Sequence, residues 1–179
     1  MMATEPVRVA NFPLAKSTAA TVLIENSVSG PPVPINSLIE TYDLKVSEVD
    51  FDAKYDNVCG YIDLEARTIV INRSNAPTRK AFTLAHELGH WLLHPVEIAQ
   101  DPSQTVVFRI PLDRPDPDPL EKEANSFAAN LLVPEDFLRR PEYAGMAVSE
   151  IAKCFGVSPQ VIEYRHKNLT TDSQTLSQT

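Results

Sequence analysis

The amino-acid sequence predicts an α+β fold, on three observations. Two segments, 77–93 and 118–132, carry apolar residues at helical spacing; two short β-branched runs, 58–64 and 68–72, flank a charged turn; and the C-terminal third breaks into short helical pieces around a glycine. At 179 residues and 43% hydrophobic content, one compact core is the expectation. Acidic residues outnumber basic ones 24 to 16, and a formal charge of −8 opposes a phosphate backbone, which disfavours binding nucleic acid through bulk electrostatics. Cys59 and Cys154 form no Cys-x-x-Cys pair and no disulfide framework, as suits a reducing, cytoplasmic compartment. The apolar stretch 19–24 is too short to span a membrane and lacks the basic flank of a signal peptide, so neither anchor nor leader is expected.

Taken in order, residues 1–30 mix single apolar residues with Ser, Thr and Asn without sustained period, and read as an irregular N-terminal arm. Gly30-Pro31-Pro32 and Pro34 punctuate the chain, and a core is expected over 31–145. Ile35, Leu38, Ile39 and Tyr42 make a short helix leading into a strand at Leu44, Val46 and Val49. The runs 58–64 and 68–72, joined through Glu65-Ala66-Arg67, make a β-hairpin and with it a short antiparallel sheet. Asn75 is the expected cap of the helix 77–93, with Pro77 in the first turn, where its missing N–H costs nothing. Segment 95–119 holds six prolines and an acidic run and should be largely extended, with 105–110 as a candidate strand and either a lid or a connector as its role. The second long helix starts at Asp118-Pro119 and stops before Pro134. Residues 146–169 read as a pair of short helices, and 170–179 as a disordered polar tail.

Within the first long helix stands His86-Glu87-Leu88-Gly89-His90. At ~100° per residue the two histidines lie only ~40° apart around the helix, so both imidazoles reach one point, while Glu87 stands ~100° away, near enough to meet a water there without ligating. This is the donor pattern of a zinc site. Leu84, Leu88, Trp91 and Leu92 form the apolar back of the helix. Catalytic zinc takes three protein ligands and keeps one position open, so a further donor is needed from another element. Glu121 and Glu123 of the second helix are the candidates. Glu121 shares a face with Ala124, Asn125 and Ala128, where small residues permit close approach; Glu123 points nearly the other way. Glu121 has a competing reading as partner of Asp118 in a capping box. Asn125, one turn on, suits the orientation of a zinc-bound histidine. His94 lies ~6 Å beyond His90 along an unbroken helix, which favours contact behind the ligands or with substrate over direct ligation. Tyr61, Arg79, His94 and His166 are the candidates for an additional oxyanion donor toward a substrate carbonyl, with a surface or interface role as the default for His166, and Cys59 reads as small apolar filling.

The run 81–94, Ala-Phe-Thr-Leu-Ala-His-Glu-Leu-Gly-His-Trp-Leu-Leu-His, together with Glu121-x-Glu123-Ala124-Asn125-x-Phe127-Ala128-Ala129-x-Leu131-Leu132-Val133-Pro134, closely resembles the ImmA/IrrE-type bacterial zinc peptidases. The strands 58–62 and 69–72 resemble the sheet preceding the active helix in that family, so the likeness spans about 35–165. It implies a small zincin-like core, Zn2+ as cofactor, His86, His90 and Glu121 as metal ligands and Glu87 as the catalytic acid/base. It also implies a protein substrate, a helix-turn-helix repressor or antitoxin, in stress, phage or mobile-element regulation. A toxin or sensor that binds zinc and a partner without turnover is the competing reading. Residues 149–162 themselves resemble a helix-turn-helix, but the start of its second helix carries Pro159, Gln160 and Glu163, so direct DNA binding is disfavoured and packing on the core is preferred.

Overall fold

The computed structural model describes residues 8–52, 58–96 and 118–176, with side chains to Leu169. The proposed strand at 105–110 and most of the proline-rich segment lie outside the described residues. The elements run α1 (Phe12–Glu25), α2 (Ile35–Thr41), β1 (Lys45–Val49), β2 (Gly60–Asp63), β3 (Thr68–Asn72), α3 (Pro77–Leu93), α4 (Pro119–Leu132), a short turn α5 (Glu135–Leu138), α6 (Val148–Phe155) and α7 (Pro159–Leu176).

The sheet is mixed rather than antiparallel, with order β1-β3-β2. The tight turn between β2 and β3 forces that pair antiparallel, with Gly60 opposite Ile71 and Asp63 opposite Thr68. Asp63 Oδ1 accepts from the Ala66 N–H at 2.9 Å and closes the turn. β1 instead lies on the other side of β3, parallel to it, Lys45 opposite Thr68 and Val49 opposite Asn72. A hairpin turn dictates only its own two strands; the longer connection from β1 leaves its direction to packing. Arg67 secures the result: its guanidinium donates to the carbonyls of Tyr42 at 2.8 Å and Asp43 at 3.1 Å, and its own carbonyl accepts from the Lys45 N–H at 2.9 Å.

β3 is the central strand; Ile69 and Ile71 are buried in the core on the face toward α3, and Val70 is buried on the opposite face with its pairing partner Tyr61. Gly60 permits β2 to lie on α3: a Cβ there would stand 2.6 Å from the Val70 carbonyl oxygen and 2.7 Å from Thr83 Cγ2. The cap of α3 is Ala76 rather than Asn75, and no side chain caps it; Asn75 Nδ2 instead donates to the Cys59 carbonyl at 3.4 Å, tying the helix start to β2. On the apolar back of α3, Leu84 and Leu88 are buried, and the Arg67 guanidinium sits 5.0 Å from the Trp91 ring centre.

Residues 1–30 are not an irregular arm throughout. Phe12–Glu25 is a helix, capped by Asn11 Oδ1, which accepts from the Leu14 N–H at 3.0 Å. Its Ser, Thr and Val residues are indifferent helix formers, so local propensity does not announce it. Burial of Ala15, Ala19, Val22 and Leu23 against α4 stabilises it. The C-terminal pair is also longer than expected: α7 is 18 residues long and its backbone continues as far as Leu176, into the polar stretch expected to be disordered. Gly156 adopts left-handed φ 68° at the end of α6, and Ile151, Phe155, Val161 and Ile162 join the single core. Buried Arg165 donates from Nε to the Val133 carbonyl at 2.9 Å, locking α7 to the end of α4. No helix among the described residues is long and apolar enough to cross a membrane.

Gly60→Ala is expected to destabilise by about 2 kcal/mol or more, because the new methyl meets backbone that the α3 contact holds in place; thermal melting followed by circular dichroism should show a midpoint lower by roughly 4–8 °C.

Candidate metal centre

Gly89 and Ala124 set the separation of α3 and α4. A Cβ on Gly89 would lie 2.9 Å from Phe127 Cδ1 and 3.3 Å from Ala124 Cα, so the glycine within the histidine motif is where the second helix comes in close. That approach carries the start of α4 to the polar face of α3. Asp118 caps α4 alone, accepting from the Leu120 N–H at 2.8 Å, and Glu121 is thereby left to reach across rather than close a capping box.

His86 Nε2 and His90 Nε2 stand 2.9 Å apart, and the Glu121 carboxylate lies 3.4 Å from the first and 3.0 Å from the second. All three ligand-capable atoms fall within 4.8 Å of one another, and this is the grouping among the described residues able to hold a metal ion. Glu123 does not belong to it. The other imidazole nitrogens are already engaged: His86 Nδ1 is 3.1 Å from Asn125 Oδ1, and His90 Nδ1 is 3.1 Å from His94 Nδ1. An amide oxygen can only accept, so His86 carries a proton on Nδ1, and Nε2 is the nitrogen left to a metal ion. Two nitrogen donors and one carboxylate are the protein donor set of a catalytic zinc site, and these residues fit it. Glu87, between the histidines, is fully buried.

Burial pushes the Glu121 carboxyl up, but hydrogen bonds and charge attraction from His86 and His90 outweigh it and hold the group well below the usual carboxylate range. Burial pushes His94 down, against the pull of its hydrogen bond to Glu123, and favours the neutral ring.

α3 ends at Leu93, and His94 closes it with its backbone N–H on the His90 carbonyl at 3.0 Å, so the ring folds back against His90 rather than continuing along the stripe. His94 is fully buried, its Nε2 2.7 Å from Glu123 Oε2. Sequence reasoning offered Glu123 only as an alternative ligand and did not find this partnership; the signal available was His94 and Glu123 each sitting beyond a ligand on its own helix. Tyr61 is not brought to the centre. Gly60 faces α3, so by strand alternation Tyr61 faces away, and its ring packs on Phe51 with centroids 6.3 Å apart. His166 is exposed on α7, the Arg79 Nη1 lies 4.0 Å from Cys59 Sγ, and Cys59 is buried at the start of β2 outside the metal grouping.

Residues 39–167 match the IrrE N-terminal-like domain of peptidase family M78. A protein of Bacillus phage phi105 described as uncharacterized immunity region protein 2 is 28% identical over 109 residues, which is 60% of this chain and 65% of that protein. A Mycobacterium tuberculosis transcriptional regulator shares the fold, with a TM-score of 0.61 at 16% identity over 84% of this chain and 54% of that one. The chain thus spans less than two thirds of either relative.

Adding zinc to metal-free protein at a hundredfold excess over its dissociation constant should stabilise it by about 2.7 kcal/mol, read as a higher melting midpoint that a chelator reverses. Glu121→Gln should lose most of that gain. Acidification should abolish it, because protons compete for the same lone pairs.

Proposed function

The chain belongs to peptidase family M78, the IrrE N-terminal-like family, and we propose that it is a zinc endopeptidase acting on a protein partner, a helix-turn-helix repressor or antitoxin. The observation that carries this reading is the convergence of His86 Nε2, His90 Nε2 and the Glu121 carboxylate beside a buried Glu87. His86, His90 and Glu121 would hold the ion. When bound, zinc supplies Lewis acidity, which makes water a usable nucleophile near neutral pH and polarises a peptide carbonyl.

The remaining work falls to side chains of this chain. Glu87 takes the proton of the attacking water on its carboxylate and returns it to the leaving amine, so one residue serves as base and then as acid. Its burial keeps bulk water from competing for that proton. Asn125 holds the His86 ring in the tautomer that ligation requires. β2 is an edge strand paired only with β3 among the described residues, and it crosses α3 at Thr83, one turn before Glu87. An extended substrate segment adds to that edge through main-chain hydrogen bonds. The phage relative's description as an immunity region protein supports a regulatory protein as the partner. The α6–α7 pair spends Ile151, Phe155, Ile162 and Arg165 on the core, which supports packing over DNA contact as its role.

The test is incubation of purified protein with the repressor encoded beside it, followed by mass spectrometry. Wild type should cleave it; Glu87→Gln should retain one zinc per chain and lose roughly 10²–10⁴-fold in rate, the worth of a general base. A wild type that binds zinc and the partner but leaves the partner intact would establish the sensor reading instead.

A further inference from the structure

The N-terminal segment contacts a residue that backs the candidate metal centre. Glu123 is almost wholly buried, and both its oxygens accept: Oε1 from the Asn11 backbone N–H at 2.7 Å, and Oε2 from His94 Nε2 at 2.7 Å and Arg8 Nη2 at 3.3 Å. Asn11 is also the residue that caps α1 with its side chain, so the start of that helix is pinned to Glu123 by one residue. The chain of contacts then runs from Glu123 through His94 to His90 Nδ1 at 3.1 Å.

Ligation through His90 Nε2 puts that ring's proton on Nδ1, and donor and acceptor logic then permits one arrangement along this chain. An ionised carboxylate only accepts, so His94 must carry its proton on Nε2. Its Nδ1 is then an acceptor, and the proton between the two rings belongs to His90 Nδ1. His90 is left with its lone pair on Nε2, the atom that faces Glu121. A carboxylate more than one residue removed from the ligand therefore supports the ligand's tautomer and holds its ring plane.

We infer that Glu123 and His94 are positioning residues for His90, and that docking of residues 8–25 on α4 and metal binding at His86, His90 and Glu121 reinforce each other. The family match begins at residue 39, so this part of the centre comes from outside the matched region. The inference rests on the zinc reading above and adds a component to it. Coupling of this kind is reciprocal: what the segment contributes to metal affinity, the metal returns as protection of the segment.

Glu123→Gln is the informative substitution. A glutamine has one acceptor oxygen, so it must present its amide N–H2 either to the Asn11 N–H or to His94, and one end of the chain is lost. Zinc affinity, measured by competition with a chromophoric chelator, should fall by roughly 10–100-fold. The visible absorption bands of the cobalt-substituted protein should shift, since they report the ligand field at the ion. In wild-type protein, zinc should slow hydrogen exchange at the Asn11 and Leu14 amides; this measurement needs no variant and decides the matter if Glu123→Gln does not fold. A folded Glu123→Gln with wild-type zinc affinity and cobalt spectrum, or N-terminal amides indifferent to zinc while those of α3 respond, overturns the inference and leaves the peptidase reading standing. Wild-type protein that takes up no zinc overturns both.

Discussion

The close crossing of α3 and α4 is the constraint on which the rest depends. At Gly89 there is no room for a side chain between the helices, and Phe127 and Ala124 fill the space a Cβ would take. Interiors are packed densely enough that such a contact sets position to a fraction of an ångström. Because that contact lies inside the histidine motif, the same packing that buries Leu88 and Phe127 also delivers Glu121 to the two imidazoles. Core and site are one arrangement seen from two sides.

Around that crossing, polar groups are buried in quantity but not left to chance. His86 and His90 each have a partner at Nδ1, His94 has one at each nitrogen, and Glu123 accepts from three donors. A partly satisfied network of this depth would cost more than an apolar core. The engaged nitrogens face Asn125 and Glu123 of α4 or one another, while the nitrogens facing Glu121 converge on one point. Rigid support on the far side of a ligand is what a site needs in order to hold its geometry before a metal arrives.

The sheet contributes placement more than chemistry. β3 anchors α3 from below, β1 covers one flank, and β2 leaves its outer edge beside the start of the histidine helix. Gly60 makes that proximity possible, just as Gly89 does on the other side of the helix. Two glycines thus determine how near the neighbours of α3 come.

Much of this was legible in the sequence, and the division follows the range of the forces involved. The helices Pro77–Leu93 and Pro119–Leu132, the β2–β3 pair and the co-facial His86 and His90 rest on periodicity and spacing within one element, which local sequence determines. Glu121 could be narrowed to two readings, because helical geometry gives the face but not the neighbour. The parallel pairing of β1, the helix Phe12–Glu25 and the Glu123–His94 contact were decided only by tertiary structure. Each joins residues far apart in the chain, and nothing in the local propensity of Ser, Thr and Val residues, or of a glutamate two places from another, encodes which surface will be there to meet them.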